Sequence, residues 1–179
     1  AIDLDYKVLD ARWNRWSTCS LCEQNYHGVV ACALGWACWK TYVHRPETDW
    51  ARQLAMSRLG NGLHDAGHNE AALSVRVAEL ATERRLGGSE YNILFVQANL
   101  TMSYEDLGRH EEALSMRRDV YSGHLKLFGE EDRDTLLTAN NYASSLVALE
   151  RCEEAKALMH RTVPVARRVL GENDENLLK

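Results

Sequence analysis

Four side chains near the front of the chain, Cys19, Cys22, His27 and Cys32, have the spacing of metal ligands, C-x2-C-x4-H-x4-C. Two thiolates separated by two residues can share one tetrahedral ion, which an imidazole and a third thiolate would complete. Cys38 offers a rival set, Cys19, Cys22, Cys32 and Cys38. If residues 29–43 form a helix, however, Cys32 and Cys38 lie six apart and do not share a face. The competing reading is a group of buried free thiols, which pack as small apolar residues. One structural zinc is the single cofactor these residues suggest. Cys152, far down the chain, is expected to be structural.

Other residue groupings carry less chemistry. His64 and His68 are four apart, but Gly67 places a turn between them, so they need not face together. The "GNG" at 60–62 lacks the strand–turn–helix context of a phosphate loop, and neither G-x-S-x-G nor H-E-x-x-H occurs. No cysteine–histidine pair outside the front cluster is set up as an activated nucleophile. The sequence therefore reads as a binding protein and not an enzyme.

Charge and composition narrow the partners. The net charge is −5. Residues 1–48 hold five acids and five bases, and the rest hold 21 acids against 16 bases. Neither part has the basic excess on which phosphate-backbone binding relies, so nucleic acid is not an expected partner. No apolar run approaches the roughly 18 residues that span a bilayer, and no secretory leader is legible, although the chain begins at Ala1 and a leader removed from it would leave no trace. Five cysteines, an odd number, suit a reducing intracellular compartment, the cytoplasm, better than a secreted disulfide scaffold.

The elements that would position these residues repeat. "RLGNGLHDAGHNEAAL" from Arg58, "NLTMSYEDLGRHEEAL" from Asn99 and "NYASSLVALERCEEAK" from Asn141 start 41 and 42 residues apart. A second marker closes each unit: "RRLG" at Gly87, "KLFG" at Gly129 and "RVLG" at Gly171. A third, Leu94, Leu136 and Leu178, opens the next in the same 42-residue step. Each unit reads as a helical hairpin. Leu59, Leu100 and Tyr142 are followed by the smaller Gly60, Thr101 and Ala143, where a partner helix can come close. Leu63, Tyr104 and Leu146 continue that face. The turn falls at Gly67 and Gly108, with Glu150 in the third unit. Ala72, Ala113 and Ala155 mark the crossing on the second helix.

This pattern resembles the tetratricopeptide repeat (TPR), and the 42-residue unit, with "EEAL" opening its second helix and "LG" closing it, resembles the repeats of kinesin light chains. The eight or so residues beyond the usual 34 would lengthen each helix by about one turn. The resemblance implies an all-α, right-handed superhelical stack of hairpins whose first helices line a concave groove that takes a peptide. It also implies that an asparagine before the large–small doublet bonds the peptide. Here that position is Arg58, Asn99 and Asn141, with Asn61, Met102 and Asn140 nearby; solvated helix-face residues are the plain alternative. Glu105 and Asp106 add acid to the same wall. The front cysteines resemble a zinc knuckle in spacing, but Glu23 and Tyr26 stand where knuckles place glycines.

Residues 1–48, which hold four of the five tryptophans, form a Trp/Cys-rich module with helices over about 3–17 and 29–43. The second is apolar nearly all round and so expected to be buried, and the module is expected to cap the repeat stack with its tryptophans as core. Pro46 ends it, and Thr48 or Asp49 caps the next helix. Residues 49–179 carry repeats at 49–87, 88–129 and 130–171, and "ENDENLLK" opens a fourth, as in a piece of a longer array. Pro164 removes one helical bond and is expected to kink its helix. The function expected is a protein-interaction scaffold within a larger assembly, with a zinc-bearing front module as the alternative working end.

Overall fold

The computed structural model describes residues 13–171, which form seven α-helices: α1 (Gly28–Tyr42), α2 (Trp50–Asp65), α3 (Asn69–Leu86), α4 (Glu90–Asp106), α5 (His110–Phe128), α6 (Arg133–Ala148) and α7 (Cys152–Leu170). Most of the helix expected over 3–17, the marker Leu178 and the start of a fourth repeat lie outside these residues. Among the described residues the only β pairing is an isolated antiparallel bridge between Thr18 and Asn25, and no helix is long and apolar enough to cross a membrane. The hairpin loops from α2 onward have three or four residues, so the 42-residue unit spends its extra length in helix.

The ends of the helices follow from local chemistry. Asp49 caps α2, its carboxylate accepting the Ala51 N–H at 2.8 Å, and Asp132 caps α6 through the Thr135 N–H at 2.9 Å. The left-handed turn expected within each hairpin is present at Gly67 (φ +76) and Gly108 (φ +69), and Glu150 adopts it as well (φ +60). Helix α7 runs through the exposed Pro164 to Leu170.

The residues divide into two compact units, one ending at Leu86 and the other starting at Gly87. In the first, α2 packs between α1 and α3, and Cys32, Leu59, Leu63 and Ala72 form a core with Trp39, Ala66 and Val75 against it. The expected boundary at 48 is thus not where the contacts divide: α1 lies along α2 as closely as hairpin partners do. Helix α1 is also in the repeat's cadence. Helices α1, α3, α5 and α7 begin at 28, 69, 110 and 152, and Ala31, Ala72, Ala113 and Ala155 are each the fourth residue.

Two expectations about the front module are corrected. Helix α1 is not buried all round: Val29, Val30 and Trp36 are exposed, while Cys32, Gly35 and Cys38 are its buried residues. The module's tryptophans are not all core, since Trp36 is 44% exposed, and Trp13 is tilted against the exposed Trp50 of α2, 5.6 Å between ring centroids.

In the second unit α4, α5, α6 and α7 pack in chain order. Its core gathers Leu114, Tyr121, Ala139, Ala143, Leu146, Ala155 and Leu158. The alanines at the helix crossings are 0–4% exposed, as close backbone approach requires.

Candidate functional site

Helices α4 and α6 are the first helices of successive hairpins, and α5 lies between them in the chain. Asn99 and Met102 on α4 and Asn141 on α6 come together around a depression of about 170 Å³, completed by Ala98, Thr101, Val120, Thr138 and Arg117. Met102 is 43% exposed and Asn141 is also exposed, whereas Asn99 is half-buried. Three of the six residues expected on a peptide-facing wall therefore line one feature. Asn140 is half-buried and outside it, its carbonyl accepting the Ser144 hydroxyl at 3.0 Å.

Arg117 is the residue the sequence reading missed. From α5 it donates through Nη1 to the Asn141 carbonyl at 2.8 Å and through Nη2 to Glu105 Oε2 at 2.6 Å. Ser145 on α6 donates to the other Glu105 oxygen at 3.2 Å. One guanidinium thus fastens α4 and α6 together and pairs with Glu105, one of the two acids expected on this wall. A half-buried charged hydrogen bond of this kind is worth more than an exposed ion pair. Its signal was in the sequence: Arg117 and Arg76 are each the eighth residue of their helices. An arginine within a helix reads as solvated until the helix crossing is known.

Arg58 and Asn61, the other two expected wall residues, line a separate cavity of about 430 Å³ within the first unit. Its remaining walls are Trp16, Ser17, Asn25, Tyr26 and His27 from the front loop, Ala31 on α1, and Gly62 and Asp65 on α2. The Asn61 side-chain oxygen accepts from Arg76 Nη2 at 3.1 Å, so this amide is already engaged.

The expected zinc ligands are not drawn to one point. Cys32 is buried in the α1–α2 core. His27 turns its Nδ1 toward Asp65 Oδ2 at 3.5 Å. Cys38, from the rival set, is fully buried, and burial pushes its thiol up to about 11. Among the described residues no group of three or more His, Cys, Asp or Glu side chains is placed to hold a metal ion. Cys19 and Cys22 remain as a pair in the loop. Cys152 is exposed at the start of α7 and is not a packing residue.

Residues 135–176 match the tetratricopeptide repeat family model. A search of curated protein sequences finds no match. Among solved structures the chain is similar to a Podosopora anserina protein assigned as a kinesin light chain, with nearly identical TPR-like repeats: TM-score 0.68, 20% identity, 83% of this chain and 70% of that one covered. BtubC (BKLC) from P. vanneervenii gives 0.64 and 18%, over 82% of this chain and 58% of that one. A Rap protein complexed with Competence and Sporulation Factor gives 0.61 and 16%, over 83% of this chain and 44% of that one. The chain thus spans little more than half of BtubC and less than half of the Rap protein. Residues 135–176 thus match the tetratricopeptide repeat family, and the described residues are all-α with the fold of the kinesin light chain TPR-like repeats.

Proposed function

We propose that this chain is a protein-interaction scaffold that takes a peptide segment of a partner protein against α4 and α6. The observation that carries the reading is the depression shared by Asn99, Met102 and Asn141. Two amides, each able to donate and accept, suit a peptide backbone, which does the same. Ala98, Val120 and the exposed Met102 side chain supply apolar surface for one anchoring side chain. At about 170 Å³ the depression is below the roughly 300–1,000 Å³ of small-molecule and cofactor sites, which favours a side-chain anchor over a bound metabolite. The Arg117–Glu105 pairing leaves no unpaired arginine at the depression to attract an acidic segment, so the segment it fits is polar or apolar. The Rap protein of similar fold was solved complexed with Competence and Sporulation Factor, which supports a binding role for such a scaffold. Five free thiols fit the reducing intracellular setting expected for it.

The test is selection of peptides from a random display library on the immobilised chain, followed by titration of the selected peptides. Each lost hydrogen bond costs about 1 kcal/mol, so Asn99→Ala with Asn141→Ala should weaken binding about tenfold or more while helicity and melting temperature hold. Equal affinity for the double variant would reject the site.

A further inference from the structure

The front loop holds a cluster that the peptide reading leaves unused. Residues 19–23 make a single helical turn, closed by the Glu23 N–H donating to the Cys19 carbonyl at 2.9 Å. The turn is pinned at its base. Cys19 N–H donates to the Gln24 carbonyl at 2.9 Å, Tyr26 N–H donates to the Ser17 carbonyl at 2.8 Å, and Thr18 Oγ1 donates to Asn25 Oδ1 at 3.0 Å. Cys19 is half-buried and Cys22 exposed.

We propose that Cys19 and Cys22 form a redox-reactive dithiol, a modification site that reduces low-molecular-weight disulfides of the glutathione class and closes into an intramolecular disulfide.

Geometry supports closure. Positions i and i+3 of a helical turn have Cα atoms about 5 Å apart, inside the roughly 4.4–6.8 Å that a disulfide bridges. Side-chain rotation, with the backbone held by its pinned base, is enough to join the sulfurs. Only two thiols meet here, too few for a closed zinc site but sufficient for a disulfide. The Cys19 sulfur is also the activated one. Backbone N–H groups of Cys22 and then Leu21 point at it, with the Cys22 thiol and the Tyr26 hydroxyl adding smaller contributions, and together they bring it down to about 7. Buried Cys38 is pushed the opposite way.

The steps balance. Cys19 thiolate attacks one sulfur of the external disulfide; that S–S bond breaks and a thiolate leaves with the electron pair. Cys22 gives its proton to solvent and attacks the Cys19 sulfur of the mixed disulfide, expelling the second thiolate. Two cysteines are oxidised and one external disulfide is reduced to two thiols.

The experiment treats the whole chain with oxidised glutathione, blocks the remaining thiols and maps peptides by mass spectrometry. A Cys19–Cys22 link is expected in the wild type, and a glutathione adduct held on Cys19 in Cys22→Ser. Half ionisation near pH 7, set against the lower nucleophilicity of a more acidic thiol, gives Cys19 about a threefold faster alkylation at pH 7 than an unstructured cysteine peptide. Circular dichroism confirms that each variant folds. Adducts falling chiefly on Cys152, or a wild type with no 19–22 link, would overturn the proposal. Neither outcome bears on peptide binding at α4 and α6.

Discussion

Glu79 on α3 shows how far one buried side chain departs from what its letter implies. It is 6% exposed, accepts a hydrogen bond from Ser57 on one oxygen and has no hydrogen-bond partner for the other. Burial, reinforced by the charge of Glu83, raises its carboxyl to about 7 against the opposing pull of Ser57 and Arg76. A carboxyl raised in the fold binds its proton more tightly there than in the unfolded chain. Its contribution to stability is full below about pH 4.5 and is lost as pH climbs to about 7. Glu79→Gln keeps an acceptor for Ser57 and removes the titration. At pH 8 it should be more stable than wild type by roughly 2–3 kcal/mol, and the gap should close by pH 5, as read by urea denaturation at the two pH values. A constant gap across that range would mean Glu79 does not titrate in this window. At this scale the sequence was a poor guide. The C-x2-C-x4-H-x4-C spacing is the same whether Cys32 faces a metal or, as here, turns into the α1–α2 core, and only helix packing decides between them. Arg117 was obscured for the same reason, whereas Asn99 and Asn141 were legible because their place in the repeat fixes the helix face they occupy.

Between elements, the tight backbone contact of α2 lies two residues from where the large–small doublet suggested it. A Cβ added at Gly60 would meet Arg76 Cγ at 3.4 Å and Val75 Cγ1 at 3.6 Å, ordinary contacts. A Cβ at Gly62 would come within 2.5 Å of the Ala31 carbonyl oxygen and 3.0 Å of Cys32 Cα, both backbone atoms of α1. Helical glycine costs about 0.5–1 kcal/mol relative to alanine. Gly60→Ala should therefore stabilise the chain by up to that amount. Gly62→Ala gains the same propensity but forces α1 off α2, an overpacking typically costing about 1–3 kcal/mol, and should lower stability. Thermal melts of the two variants should move in opposite directions; a shared direction would mean that α1 does not hold its contact on α2. The hairpins themselves were legible, since caps at Asp49, Gly67 and Gly108 and alanines at the crossings have local causes. Helix α1 was not recognised as a repeat helix because its tryptophans and cysteines hide an alanine, Ala31, at the diagnostic fourth position.

Across the whole molecule, every substantial helix contact within each unit joins neighbours in the chain: α1 with α2, α2 with α3, and then α4 through α7 in order. The 42-residue period made this legible from sequence, while the division at 86/87 was not, because a repeat announces its cadence and not the strength of each junction. In such folds stability is close to a sum of local terms and nearest-neighbour interfaces, so damage spreads little along the chain. Gly62→Ala supplies the probe, because its clash is confined to α1 and α2. Amide hydrogen exchange should quicken in α1, α2 and α3, whose core Gly62 adjoins, and stay at the wild-type rate in α6 and α7, whose core of Ala139, Leu146 and Leu158 shares no residue with it. A single cooperative block would instead lose protection evenly, with the slowest amides of α6 and α7 accelerating by the full global change. That even loss would refute the local-interface account and, with it, the expectation that peptide binding at α4 and α6 survives changes in the front unit.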